Sequence, residues 1–252
     1  MVPFLGATDP LPPPDTALSE PNGLLAAGGG LSVSRLLDAY SQGVFPWFSD
    51  GDPVLWWCPN PRLILPTGAV HVSRSLGRRL ARRDYRVTLD TAFGAVVRAC
   101  AEPRADDRGT WITGKMVAAY EALHARGSAH SLEVWQGDEL VGGIYGVAVG
   151  TAFFGESMFS RAADGSKIAI VWLAAQLVRW GVPFIDCQVR SEHLVRMGAV
   201  EVPRREFLHQ LGPLVAAAGP EAWRFDDDLD PGRRPAAPAP PGTDRAPGGE
   251  TR

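Results

Sequence analysis

Between Ser131 and Ser157 the chain carries the pattern that most limits its fold. Ser131–Trp135, Leu140–Val149 and Thr151–Ser157 are rich in β-branched and aromatic residues, and Gly137-Asp138 and Gly150 separate them. Such runs joined by glycine-containing turns predict strands that fold back on one another as an antiparallel meander. Beyond Ser157 the pattern changes. Ser166–Trp180 is apolar over a helical length and ends at Gly181, Phe184–Val189 is again a strand, Ser191–Met197 is a short helix stopped by Gly198, and a last helix starts near Arg204. Three strands, a helix, a strand and a helix predict an α+β fold with a mixed, largely antiparallel sheet.

Upstream, a short helix is expected over Ser34–Gln42, with Ser32 as its cap and Gly43 as its stop. Phe45, Trp47, Phe48, Trp56 and Trp57 then crowd between Pro46, Pro53, Pro59 and Pro61, which predicts that turns rather than a regular element hold them. Further helices are expected over Ser73–Arg83, Thr91–Cys100 and Thr113–Arg126, the last closed by Gly127, with a strand over Tyr85–Leu89. The Pro-rich start and the Pro-, Gly- and Ala-rich end lack periodic pattern. The expected organisation is a disordered segment over 1–20, a small N-terminal domain over 21–62, a main domain over 63–225 and a disordered tail over 226–252.

A chain of 252 residues that is 45% hydrophobic and 21% charged can bury a full core. It has no apolar run near the roughly 20 residues that cross a bilayer, and its first residues lack the layout of a signal peptide, so a cytoplasmic location is expected. Cys58, Cys100 and Cys187 are odd in number and widely spaced, which suits reduced thiols, and the histidines form no zinc-type spacing with them. No metal is expected. The net charge of -3 conceals a segregation: Asp226, Asp227, Asp228 and Asp230 crowd one segment, and Arg74, Arg78, Arg79, Arg82, Arg83 and Arg86 another. On a helix, Val72, Leu76 and Leu80 fall on one stripe and Arg74, Arg78 and Arg82 on the opposite one, so the arginines face outward. Such a patch suits phosphates, although a solvated face is the plainer reading of surface charge.

Two acids stand in apolar surroundings. Asp186 lies on Phe184–Val189 two residues from Gln188, a spacing that sends both side chains to one face of a strand. A carboxylate there is costly without a partner or a task; the alternatives are a reacting role or a buried acid paired with an arginine or backbone amides. Glu156 closes the preceding strand, and its plain alternative is an ion pair with Arg161 or Lys167. No nucleophile elbow is visible, and Gly28-Gly29-Gly30 lacks the preceding strand that a phosphate-binding loop needs.

The motifs converge on one family. Pro21-Asn22-Gly23-Leu24-Leu25, Gly43-Val44-Phe45-Pro46-Trp47-Phe48, Trp56-Trp57-Cys58-Pro59-Asn60-Pro61-Arg62, Gly109-Thr110-Trp111-Ile112-Thr113, His130-Ser131-Leu132-Glu133-Val134-Trp135, Gly155-Glu156-Ser157-Met158-Phe159-Ser160 and Ile185-Asp186-Cys187-Gln188 together resemble the bacterial leucyl/phenylalanyl-tRNA-protein transferases. The resemblance implies a GNAT-like acyltransferase domain behind a small N-terminal domain, with no cofactor. It implies leucyl-tRNA and phenylalanyl-tRNA as donors, acceptor proteins with N-terminal Arg or Lys, and a product marked for degradation. Asp186, Gln188 and Glu156 match its catalytic positions. Ile144, Phe153, Met158, Leu173 and Ile185 would line the aminoacyl pocket, Trp47 or Trp57 with Trp111 would flank the 3' adenosine of the tRNA, and Arg74, Arg78, Arg79, Arg82 and Arg83 would meet its body. A monomer is expected.

An aminoacyl ester is already activated, so its transfer to an amine needs alignment and a neutral nucleophile but no ATP. In this reading Asp186 accepts hydrogen bonds from the acceptor amine and orients it with Gln188. The rivals are an N-acetyltransferase of the GNAT type using acetyl-CoA, for which Ser160–Lys167 offers only Gly165, and a non-catalytic RNA-binding module, which leaves both acids without a task.

Overall fold

The computed structural model of the chain describes residues 2–103 and 111–232. The N-terminal part builds a four-stranded sheet in the order β1-β2-β4-β3, from β1 (Phe4–Leu5), β2 (Leu24–Gly28), β3 (Phe45–Pro46) and β4 (Leu55–Trp57). Helix α1 (Val33–Ser41) comes after β2 and starts as the sequence suggests: the Ser32 hydroxyl accepts from the Arg35 N–H, satisfying a first-turn amide.

Three expectations are corrected in this part. The segment before Pro21 is not free of structure, because Phe4–Leu5 pairs in parallel with Ala27–Gly28 and Leu5, Leu11 and Ala17 are buried. Its prolines hold extended backbone and a short 3-10 turn, conformations that leave no periodicity to read. The aromatics are not held by turns alone, since Phe45 pairs with Trp57 and Pro46 with Trp56 across β3 and β4. A strand, β2, does run into the glycine triplet. No phosphate loop results, because the Gly28 N–H is spent on the Val54 carbonyl and the Gly29 N–H on that of Leu5.

The main part contains β5 (Arg62–Pro66), α2 (Arg74–Arg82), β6 (Arg86–Leu89), α3 (Phe93–Ala101), α4 (Gly114–Ala125), β7 (Ala129–Gln136), β8 (Glu139–Val149), β9 (Ala152–Ser160), α5 (Gly165–Arg179), β10 (Phe184–Gln188), α6 (Glu192–Arg196), β11 (Val200–Val202) and α7 (Arg204–Ala216). Its seven-stranded sheet runs β11-β5-β10-β9-β8-β7-β6. Every neighbouring pair is antiparallel except β9 and β10, which are parallel and joined through α5. This is the mixed, largely antiparallel sheet that the pattern implied.

Strand alternation deals neighbouring residues to two cores. Ile64, Tyr145, Phe154 and Phe184 belong to the core shared with α1, α3, α4, α7 and the N-terminal sheet. Leu65, Ile144, Phe153 and Ile185 belong to the one covered by α2 and α5. The small sheet therefore shares a core with the large one. On the other face α5 approaches β8 closely: a Cβ on Gly142 would lie 2.6 Å from the Gly165 Cα, so no side chain fits between them.

Glu133, fully buried, accepts from Thr91 Oγ1 at 2.9 Å and from the Ala92 N–H at 3.4 Å, and so holds the start of α3, whose N-cap residue Ala92 has no side chain to cap it. The expected tail begins later than residue 226. Trp223 stacks on His130 with ring centres 3.7 Å apart, the Asp226 N–H donates to Gln176 Oε1 at 2.9 Å, and Arg179 pairs with Asp226 and Asp228. Residues 233–252 of that tail lie outside the described residues. Among the described residues no helix is long and apolar enough to cross a membrane.

Candidate active site

The site opens where β9 and β10 part. They pair only through Phe153 with Ile185 and Phe154 with Asp186; beyond that, Gly155–Met158 on one strand and Cys187–Gln188 on the other line two neighbouring cavities. Against β5 the register of β10 shifts between Asp186 and Gln188, and Gln188 takes a left-handed backbone with φ +64. That conformation is strained for a residue with a Cβ. It is held in part by the Asp186 carboxylate, which accepts the Gln188 N–H at 3.0 Å.

The bulge corrects the expectation that Asp186 and Gln188 converge on one reacting group. Asp186 is 1% exposed and lines neither cavity. Both its oxygens are taken by Arg62, from Nε at 2.8 Å and Nη2 at 2.6 Å, and the guanidinium lies between the rings of Phe45 and Phe207. The paired-acid alternative therefore describes Asp186, whose carboxylate is turned to Arg62 and the Gln188 N–H rather than to either cavity. Gln188 instead turns its amide to Glu156, with Nε2 donating to Oε1 at 2.8 Å.

Glu156 is the hub. It sits inside β9 rather than at its end, and it has neither Arg161 nor Lys167 as a partner, since these pair with Glu102 and Asp164. Its donors are neutral: Tyr40 to Oε1 at 2.7 Å, Tyr120 to Oε2 at 2.5 Å and the Gln188 amide. Burial raises its pKa to about 7 against the lowering effect of these three hydrogen bonds, and the nearby Asp186 charge raises it further. Burial and the Glu156 charge push both phenols well above their ordinary value, so they stay protonated and act as donors.

Two cavities meet at Glu156. The smaller, of about 80 Å³, is walled by Leu65, Ile144, Ile170, Ile185 and Leu194, with Met158 and Cys187 beside it. Of the expected pocket residues, Ile144, Met158 and Ile185 are there. Phe153 and Leu173 are not; both are packed in the core under α5, Phe153 against Trp223. The larger, of about 210 Å³, lies between Trp47 and Trp111 and reaches Glu156, Gln188 and Val189. Trp57 does not line it. Trp57 props Trp47 instead, donating from Nε1 to the Trp47 carbonyl at 2.6 Å with the rings 5.8 Å apart.

Similarity to known proteins decides the family. A family model for leucyl/phenylalanyl-tRNA protein transferases matches residues 64–212, and one for the N-terminal domain of the same transferases matches residues 29–60. The chain belongs to the leucyl/phenylalanyl-tRNA protein transferase family. It is 54% identical over 229 residues to the leucyl/phenylalanyl-tRNA–protein transferase of Nitrosospira multiformis, which covers 90% of this chain and 99% of the relative. It is 57% identical over 224 residues to that of Alkalilimnicola ehrlichii, covering 88% and 87%. The two matched segments meet between residues 60 and 64, where the chain leaves the small sheet for the large one.

For a member of this transferase family, the arginine helix is where the sequence places it but not uniformly free. Ser73 caps α2, Leu76 and Leu80 dock, and Val72 stays 38% exposed before the helix begins. Arg74, Arg78 and Arg82 face solvent, whereas Arg79 pairs with Asp84 and Arg83 with Asp230. Sequence reasoning missed the roles of Arg62, Tyr40 and Tyr120. The signals were present: a buried phenol needs a partner, and an arginine opening an apolar run needs an acid. Gly109 and Thr110 lie outside the described residues. No cluster of metal-ligating side chains occurs among the described residues.

Proposed function

We propose that this chain transfers Leu or Phe, and less well Met, from aminoacyl-tRNA to the α-amino group of proteins beginning with Arg or Lys. The observation that carries this reading is one carboxylate, Glu156, standing where an apolar pocket and an aromatic-walled cavity meet. The pocket suits an apolar amino-acid side chain and the cavity a nucleoside stacked between Trp47 and Trp111. The ester joining them then falls beside Glu156 and Gln188. The names of the relatives agree with this, and the order β7-β8-β9-α5-β10-α6 supports kinship with acyltransferases of the GNAT type.

The chemistry needs an unprotonated amine. An α-ammonium has a pKa of about 8, close to that of Glu156 at about 7, so proton transfer between them is nearly balanced near neutral pH. In this mechanism the acceptor ammonium gives one proton to Glu156 and its nitrogen attacks the ester carbonyl carbon. The adduct then collapses with cleavage of the bond to the ribose oxygen, which leaves with the second amine proton. Gln188 spends one amide N–H on Glu156 and keeps the other for the carbonyl oxygen. Asp186 acts one step away, by holding the Gln188 backbone. A cytoplasmic monomer is part of the same reading.

The test mixes the protein with labelled leucyl-tRNA and a peptide beginning with Arg, without ATP or CoA, beside a peptide beginning with Gly. Label moving only to the Arg peptide supports the reading. Bound tRNA without transfer would favour an RNA-binding module, and acetyl transfer from acetyl-CoA would favour the N-acetyltransferase.

A further inference from the structure

The chemistry at Glu156 leaves a larger cavity without a task. It measures about 500 Å³ and contains Glu102, Arg161, Phe159 and Ser160 on its wall. Its position is informative. It shares Met158 and Ser191 with the cavity between Trp47 and Trp111, and past Arg161 its wall continues as Ala162 and Asp164 into the groove beside Arg78, Arg79 and Arg82. A single-stranded RNA end with its last nucleoside between the two tryptophans and its stem on α2 would have to pass through this cavity.

We propose that the cavity seats the nucleotide preceding the terminal adenosine and reads its base as cytosine through Glu102 and Arg161. The inference rests on the proposal that aminoacyl-tRNA is the donor. Along its pairing edge cytosine presents an amine donor followed by two acceptors. A carboxylate beside a guanidinium presents the complement, one acceptor and then donors. Uracil reverses the first two groups, setting a carbonyl against the carboxylate and an N–H against the guanidinium.

Glu102 and Arg161 are paired with each other and their side chains are 57% and 47% exposed, so each keeps hydrogen-bonding capacity for a ligand. A carboxylate has about four acceptor positions and a guanidinium five donors, and their mutual contact uses only some. The Arg161 fork is fixed by the Leu140 carbonyl, to which Nη1 donates at 3.4 Å, and by the Phe159 ring, 5.4 Å below. Every tRNA ends in the same unpaired cytosine-cytosine-adenosine, so reading this position excludes no donor.

The experiment compares leucyl esters of adenosine, of the dinucleotide cytidylyl-adenosine and of uridylyl-adenosine as donors to a peptide beginning with Arg. With the full-length wild-type chain, the cytidine donor is expected to exceed the uridine donor by about 10-fold in kcat/KM, the size of a two-bond base contact. Glu102→Ala and Arg161→Ala, both surface changes outside the reacting groups, should bring the two dinucleotides together while leaving the adenosine donor unchanged. Transfer from adenosine with equal use of both dinucleotides by the wild type overturns the subsite alone. A proportional loss on all donors in both variants overturns it as well, since the pair would then be holding the fold. Transfer from none of these donors and none from whole leucyl-tRNA overturns it together with the reading on which it rests.

Discussion

Arg62 and Asp186, on the neighbouring antiparallel strands β5 and β10, join through two hydrogen bonds of 2.8 and 2.6 Å, and neither side chain is more than 1% exposed. The pair fastens the strand that carries Gln188 to the strand that leaves the N-terminal sheet. Removing one partner strands a buried charge, which typically costs about 3–5 kcal/mol, whereas replacing both by apolar residues is often near neutral. Asp186→Ala should therefore lower the unfolding free energy by about that amount in denaturant titration. Arg62→Met with Asp186→Leu should recover most of it without recovering transfer, because the Gln188 backbone has lost its acceptor. Wild-type stability in Asp186→Ala would show that the pair does not fasten the strand.

The pH dependence of transfer should follow Glu156. With a pKa of about 7 the carboxylate is mostly protonated at pH 6 and mostly ionised at pH 8, so kcat/KM rises through that window. The acceptor α-amine, with a pKa of about 8, contributes a second rise above it. Glu156→Gln should retain tRNA binding and lose the lower limb while keeping the upper one. A lower limb that survives in Glu156→Gln would assign it to another group.

The same group weakens the fold at high pH. Its folded-state pKa lies above the unfolded value of about 4.5, so the folded protein binds the proton more tightly. Its stability contribution is complete below about pH 4.5 and falls as pH rises to about 7, where the loss levels off at an order of 3 kcal/mol. Glu156→Gln has no such loss. It should unfold at a higher temperature than wild type at pH 8, and the difference should shrink as pH is lowered toward 4.5. Equal melting curves at both pH values would contradict the raised pKa.

How much of this was legible in the sequence depends on element length. β7, β8, β9 and α5 span eight to fifteen residues, long enough for their composition and bounding glycines to mark them. β1 and β3 have two residues each and β4 and β11 three, too few for alternation to register. β5 reads Arg62-Leu63-Ile64-Leu65-Pro66, a buried charge followed by an unbroken apolar run, because a strand covered on both faces does not alternate.

The site was legible in its members but not in their roles. Glu156, Gln188 and Asp186 stand together as the motifs suggested, yet the rule that residues two apart share a face fails at the bulge with the positive φ of Gln188. The partner that pairs with Asp186 comes from 124 residues away, and the phenols on Glu156 from 116 and 36 residues away. No local pattern carries such distances. The pocket shows the same limit: Phe153 and Leu173 are apolar and nearby, but their register sends them to the core under α5.

Pocket size should set donor preference. Ile170, 1% exposed on α5, lines the cavity of about 80 Å³ opposite Ile144 and Met158. Ile170→Ala widens it, and the pliable Met158 can settle around a larger ring. The ratio of kcat/KM for phenylalanyl-tRNA over leucyl-tRNA should rise by about 10-fold, the scale on which apolar pockets discriminate. An unchanged ratio with a lower overall rate would place the donor side chain elsewhere.

The arginines of α2 should differ in what they contribute to tRNA affinity. Arg78 and Arg82 are exposed and have no acid partner among the described residues, whereas Arg83 is held by Asp230 and Arg79 by Asp84. A cation that meets a phosphate releases counterions, and each such contact adds about 0.7 to 0.9 to the slope of log affinity against log salt. Arg78→Ala and Arg82→Ala should each weaken binding and flatten that slope by about one contact. Arg83→Ala should change it less, because Asp230 already neutralises that charge, and Asp230→Asn should tighten binding at low salt. Filter binding of tRNA across a salt series measures all four. Equal slopes in every variant would mean that the helix is a solvated face and that the tRNA body lies elsewhere.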